Sequence, residues 1–86
     1  MTYGPFRDSC EAHLRLQYLA ELRALVRVFA GPGADSAISA LTQAINRPGD
    51  PAVLVDARRA IDALPTRPRR RVLAAFAALQ RSAAHA

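Results

Sequence analysis

The chain has 86 residues and a net charge of +5, and 51% of it is hydrophobic, although 19 of those hydrophobic residues are alanines. That length supports one small domain, and the scarcity of glycine (4) and aromatic residues (6%) excludes a turn-dense β domain. The apolar content excludes a solvated, disordered chain.

Glycine and proline divide the sequence into four segments with helical periodicity. The first is predicted over residues 5–30. Pro5 suits a first helical position, where its missing N–H costs nothing. Asp8 and Glu11 have capping-box spacing and offer a later start. Leu14, Tyr18, Leu22, Leu25 and Phe29 form one apolar stripe, which Leu19 and Val26 widen. Glu11 and Arg15 are spaced for a favourable surface ion pair. At its rise per residue this helix spans about 35–40 Å, longer than a lone domain of this size needs.

Gly31-Pro32-Gly33 stops it. A second helix is predicted over 35–46, capped by Asp35 or Ser36, with Ile38, Leu41 and Ile45 inward. Asp50 caps a third, over 51–64, with Pro51 at its first position and Leu54, Ala57, Ile61 and Leu64 as its inner stripe. Leu64-Pro65-Thr66-Arg67-Pro68 breaks the chain again. Thr66 is the expected cap of a fourth helix over 67–82, whose stripe is Val72, Phe76, Leu79 and Ala83. No strand pattern appears and the connections are short. The expected fold is therefore a single all-α domain: a small four-helix, up-and-down bundle with a long N-terminal helix and three shorter ones. The excess length and broad apolar arc of the first helix point to a homodimer.

Charge is unevenly placed. All twelve basic residues are arginine, and residues 65–86 hold five of them with no acid. Arg67, Arg69, Arg70 and Arg71 crowd the start of the fourth helix, where cations oppose the helix dipole and repel one another. A broken local rule often marks function. One reading is an anionic partner, either nucleic-acid phosphate or an acidic protein surface. Arg58 and Arg59 extend that patch if the turn at Leu64-Pro65 folds the third and fourth helices together. The other reading is neutralisation within the chain, by Asp50, Asp56 or Asp62.

Chemistry-bearing residues are few. A lone Cys10 excludes an intramolecular disulfide and suits a reducing compartment. Cys10 and His13 are three residues apart and supply half of a zinc site, which a second copy would complete. Alternatively the thiol packs as a small apolar group and the imidazole is solvated. His85 falls in the terminal tail. No glycine-rich phosphate loop, carboxylate pair or serine-centred triad is present, so no catalytic residue, metal or cofactor is assigned and an enzyme is not expected. No secretory signal is visible. The longest apolar run is interrupted by Arg15, Glu21, Arg23 and Arg27, which suits a cytoplasmic protein without membrane contact. A small-molecule substrate is not expected either.

The stretch Ala60-Ile61-Asp62-Ala63-Leu64-Pro65-Thr66-Arg67-Pro68-Arg69-Arg70-Arg71-Val72-Leu73 resembles the opening of the region-4 helical domain of bacterial sigma factors. There, too, a Leu-Pro turn precedes a basic helix start and then Val-Leu. The resemblance covers 14 of 86 residues. In that family a promoter-reading helix-turn-helix follows downstream. Here a single helix follows, so no DNA-reading residue is carried over.

These observations point to a small non-enzymatic helical binding protein: a regulator, adaptor or accessory subunit working through protein–protein contacts. Its expected partner-binding residues are Leu19 and Val26 on the first helix and Arg67, Arg69, Arg70 and Arg71 on the fourth. The alternative is a nucleic-acid-binding regulator that sets Arg58, Arg59, Arg67, Arg69, Arg70 and Arg71 on phosphates.

Overall fold

The computed structural model describes the backbone of residues 3–85 and the side chains of residues 3–82. The stripe position Ala83 and the tail residue His85 therefore lie outside the described side chains. Every regular element among the described residues is helical. A 3₁₀ turn, Gly4–Phe6, precedes helix α1, Ala12–Ala30. A second 3₁₀ turn, Gly31–Ala34, leads into α2, Asp35–Asn46; α3, Pro51–Asp62, and α4, Thr66–His85, follow. The Cα radius of gyration is 12.0 Å, and about 12 Å is what a compact chain of this length should have. No helix among the described residues is long and apolar enough to cross a membrane.

The first helix is shorter than its pattern suggests. Gly4 takes φ +49°, a left-handed conformation that favours glycine. Pro5 opens a single 3₁₀ turn, and Arg7 leaves it with extended backbone. The capping box does not form: Glu11 is the N-cap of α1, its side chain makes no cap bond, and its carbonyl accepts the Arg15 N–H at 2.8 Å. With 19 residues, α1 spans about 28 Å, which matches molecular extents of 30 × 30 × 21 Å. The length that argued for a dimer is gone.

The other boundaries follow local chemistry. Gly31, at φ +63°, ends α1. Ala34 precedes α2 without a side-chain cap, and Asp35 sits in the first turn, where its charge suits the helix dipole. Asp50 caps α3, its carboxylate accepting the Ala52 N–H at 3.0 Å, with Pro51 next in line. Helix α4 starts at Thr66 itself, and the Pro65 carbonyl accepts the Arg69 N–H at 3.0 Å. Pro68 is tolerated because the first turn needs no donor there.

Leu19, Leu22 and Val26 of α1 are completely buried, together with Leu41 of α2, Ile61 of α3 and Val72 of α4. Ala44 and Ala57 are buried to the same degree, and small side chains there let α2 and α3 approach closely. Leu19 and Val26 are thus core residues and not partner-binding ones. The reason is architectural: α1 is flanked by α2 on one side and α4 on the other, so its broad apolar arc is covered twice by its own chain. Phe29, expected inward, is 36% exposed near the end of the helix.

The packing is not that of an up-and-down bundle. Helix α2 packs on α1 and α3, and α4 packs on α1, but α3 and α4 meet little beyond their corner around residues 62–69. The contacts Tyr18–Phe76 and Glu21–Gln80 advance together along α1 and α4, whereas an antiparallel return would reverse one of them. The N-terminal 3₁₀ turn packs against α1 and α3 instead, and Tyr3 reaches across to Phe76 of α4.

Candidate anion-binding face

The corner between α3 and α4 gives one of the clustered arginines a structural task. Arg69 donates from Nη1 to the Asp62 carbonyl at 2.8 Å, satisfying one of the last, otherwise unpaired carbonyls of α3. Its charge also lies at the helix end that favours cations. Arg69 is accordingly half-buried, while Arg67, Arg70 and Arg71 are exposed.

Helical spacing places those three residues away from the core. Val72 and Phe76 face inward. Arg67, Arg70 and Arg71 lie on the opposite side, continued by exposed Ala74 and Ala78 one and two turns further along. Among the described residues none of the three is paired with a carboxylate. The aspartates that might have neutralised them are engaged or placed elsewhere. Asp50 caps α3, Asp62 lies beside Tyr3, and Asp56 lines a shallow depression with Asp35 and Val53. A cation in the first turn typically destabilises a helix by about 0.3–1 kcal/mol; Arg67 lies there, with Arg70 and Arg71 just beyond it. Only Arg69 offsets that by capping the neighbouring helix.

The remaining expected residues do not join this face. Arg58 turns toward Tyr3 and Asp62. Arg59 is exposed in the last turn of α3, where it complements the dipole. Because α3 and α4 do not pack along one another, Arg58 and Arg59 are not laid alongside the α4 arginines by helix packing. Cys10 precedes α1, so it does not share a helical face with His13. Its thiol donates to the Glu11 carbonyl at 3.6 Å, and His13 lies 3.5 Å from the Glu11 carboxylate. No group of three or more His, Cys, Asp or Glu side chains suited to a metal occurs among the described residues.

Sequence reasoning missed Arg15. Instead of pairing with Glu11, it donates from Nε to the Pro5 carbonyl at 3.0 Å and from Nη2 to the Arg7 carbonyl at 2.9 Å. Its Nη1 reaches the Pro48 carbonyl at 3.4 Å, so one guanidinium joins the N-terminal segment to the turn between α2 and α3. The signal was present: Arg15 is four residues before Leu19 and seven before Leu22, on the inward face.

No protein-family model, curated protein or solved structure matches the chain.

Proposed function

We propose that the protein is a small, cytoplasmic, non-enzymatic binding protein that docks an acidic protein partner on the outer face of α4. The carrying observation is that Arg67, Arg70 and Arg71 are exposed and unpaired among the described residues while Leu19 and Val26 are sealed in the core. Arginine forks suit carboxylates, and the short Ala74 and Ala78 side chains beside them leave room for a partner helix. A second reading, nucleic-acid binding, has its own support in the acid-free last quarter of the chain, which holds five arginines.

The two readings separate in one experiment. The chain is used as bait in its own cell extract, alongside the variant Arg67→Ala/Arg70→Ala/Arg71→Ala, with and without nuclease. A nuclease-resistant protein retained by the native chain and lost by the variant is the expected result. Retention that disappears with nuclease supports the second reading, for which duplex binding should fall with salt at a log–log slope of about −3. Identical recovery by both baits overturns both.

The homodimer must now be built on other surface. Leu16 (40% exposed), Val28 (73% exposed) and Phe29 (36% exposed) are the large apolar side chains left open along α1, and twelve or thirteen residues of helix set the last two on flanks different from that of Leu16. Sedimentation velocity tests it, a single species at the monomer mass being the negative result.

A further inference from the structure

A groove of about 880 Å³ opens between the N-terminal segment and α4, within the range of about 300–1,000 Å³ common for small-molecule sites. Its apolar surface comes from Leu14 and Tyr18 of α1 and Leu73 and Phe76 of α4. The Tyr18 and Phe76 rings meet edge to face at 5.7 Å, and Tyr3 stands against Phe76 at 6.4 Å, so aromatic faces line much of the groove. Three segments distant in sequence build it, which is why no motif announces it.

The polar groups around it are unequally committed. Gln80 donates to the Glu21 carboxylate, and Glu11 lies beside His13. Arg7, from the N-terminal segment, and Arg81, from the late turns of α4, both line the groove, and neither side chain has a partner among the described residues. The Tyr3 hydroxyl is occluded from solvent and makes no hydrogen bond among the described residues. A buried, unsatisfied hydroxyl costs about 1–3 kcal/mol, so this wall holds a donor that gains from an acceptor.

We propose that the groove binds a small amphipathic organic anion, a carboxylate on an aryl or alkyl body. The body lies against Phe76, Tyr18 and Leu73, and the carboxylate meets Arg7 and Arg81, with Tyr3 as the additional donor when its ring turns toward the ligand. The groove is lined by Arg7, Arg58 and Arg81 against the carboxylates of Glu11 and Asp62, so cations outnumber carboxylates by one. The two uncommitted arginines beside an aromatic surface favour this chemistry over a neutral hydrocarbon, which leaves them unused, and over a cation, which they repel. The site stands apart from the outer face of α4, since its ligands include neither Arg67 nor Arg71.

Titration calorimetry with 1-naphthylacetate and decanoate tests it, with 1-naphthylmethylamine as the cation of matching body. Saturable binding of the carboxylates and none of the amine is expected. Arg7→Gln and Arg81→Gln should each weaken binding about tenfold, the value of one charge-assisted hydrogen bond. Tyr3→Phe should weaken it while raising the melting temperature of the free protein, a combination that a merely structural tyrosine does not produce. Arg67→Gln/Arg71→Gln should leave the affinity unchanged. Absence of saturable carboxylate binding up to millimolar ligand, equal binding of the amine, or indifference to both Arg7→Gln and Arg81→Gln overturns the proposal.

Discussion

At the N-terminal corner a single guanidinium, that of Arg15, is committed to the backbone carbonyls of Pro5, Arg7 and Pro48. At the start of α4, Arg67, Arg70 and Arg71 stand in solvent with no carboxylate partner among the described residues. The residue type is the same, and so is the helical setting. What differs is what the rest of the chain brings alongside. Arg15 lies on the inward face of α1, where the N-terminal segment and the α2–α3 turn converge; the Arg7 carbonyl there also accepts the Cys10 N–H at 3.1 Å. The α4 trio lies on an outward face that α3 turns away from. Arg69 is intermediate, one residue from the trio yet turned toward the end of α3. An arginine-rich sequence therefore mixes internal braces with available charge, and only packing sorts them.

The comparison can be broken most forcefully at Arg15. Arg15→Ala removes the donor to the Pro5 and Pro48 carbonyls and leaves the Arg7 carbonyl with the Cys10 N–H alone, and a hydrogen bond to a charged group contributes about 1.5–3 kcal/mol when buried. With the corner only partly buried, a loss of about 2 kcal/mol is expected, lowering the melting temperature by roughly 10 °C in a domain of this size. Helical circular dichroism on heating measures it, and a change below about 1 °C would mean the brace is ornamental. Arg15→Lys should recover little, because an ammonium cannot reproduce the planar fork.

The same corner should respond to alkali. Burial pushes the Tyr3 hydroxyl up to about 12, with the Asp62 carboxylate adding to the rise and the Arg58 guanidinium opposing it. The unfolded chain, with an ordinary tyrosine near 10, releases its proton first. Ionisation of Tyr3 therefore leaves the folding stability untouched below pH 10 and erodes it as the pH climbs toward 12. Urea midpoints across that window should fall in the native chain and fall less in Tyr3→Phe. Equal slopes would place the hydroxyl in water.

A smaller effect is expected at the other corner. Arg69→Ala removes one capping bond and one favourable charge from the end of α3, about 1 kcal/mol together. Urea denaturation resolves a change of that size, and a loss as large as that of Arg15→Ala would erase the distinction between the corners.

What the sequence disclosed follows the same division between local and distant causes. Breakers act locally, so Gly31-Pro32-Gly33, Asp50-Pro51 and Leu64-Pro65 separate the helices where the pattern places them, and residues 35–46 coincide with α2. The start of α1 was not legible because its cause is remote. A Cβ on Gly4 would come within 2.7 Å of the Phe76 ring, a contact across more than seventy residues of chain. Substitution there is doubly opposed, by that clash and by the positive φ. The wide arc of Leu19 and Val26 announced that α1 is covered on more than one side, but a pattern on one helix does not say whether the cover is its own chain or another. For the arginines, composition gave the excess and helical spacing gave the outward face. Their freedom from Asp50, Asp56 and Asp62 depended on the α3–α4 corner, which no local rule sets.

The most direct measurement is the folding stability of Arg67→Ala/Arg70→Ala/Arg71→Ala by urea denaturation. If these side chains serve a partner and not the fold, the variant should be as stable as the native chain or more stable by up to about 1 kcal/mol, since removing cations near a helix N-terminus relieves the dipole. A loss of more than about 1 kcal/mol would show that the trio holds the molecule together, and would contradict the account.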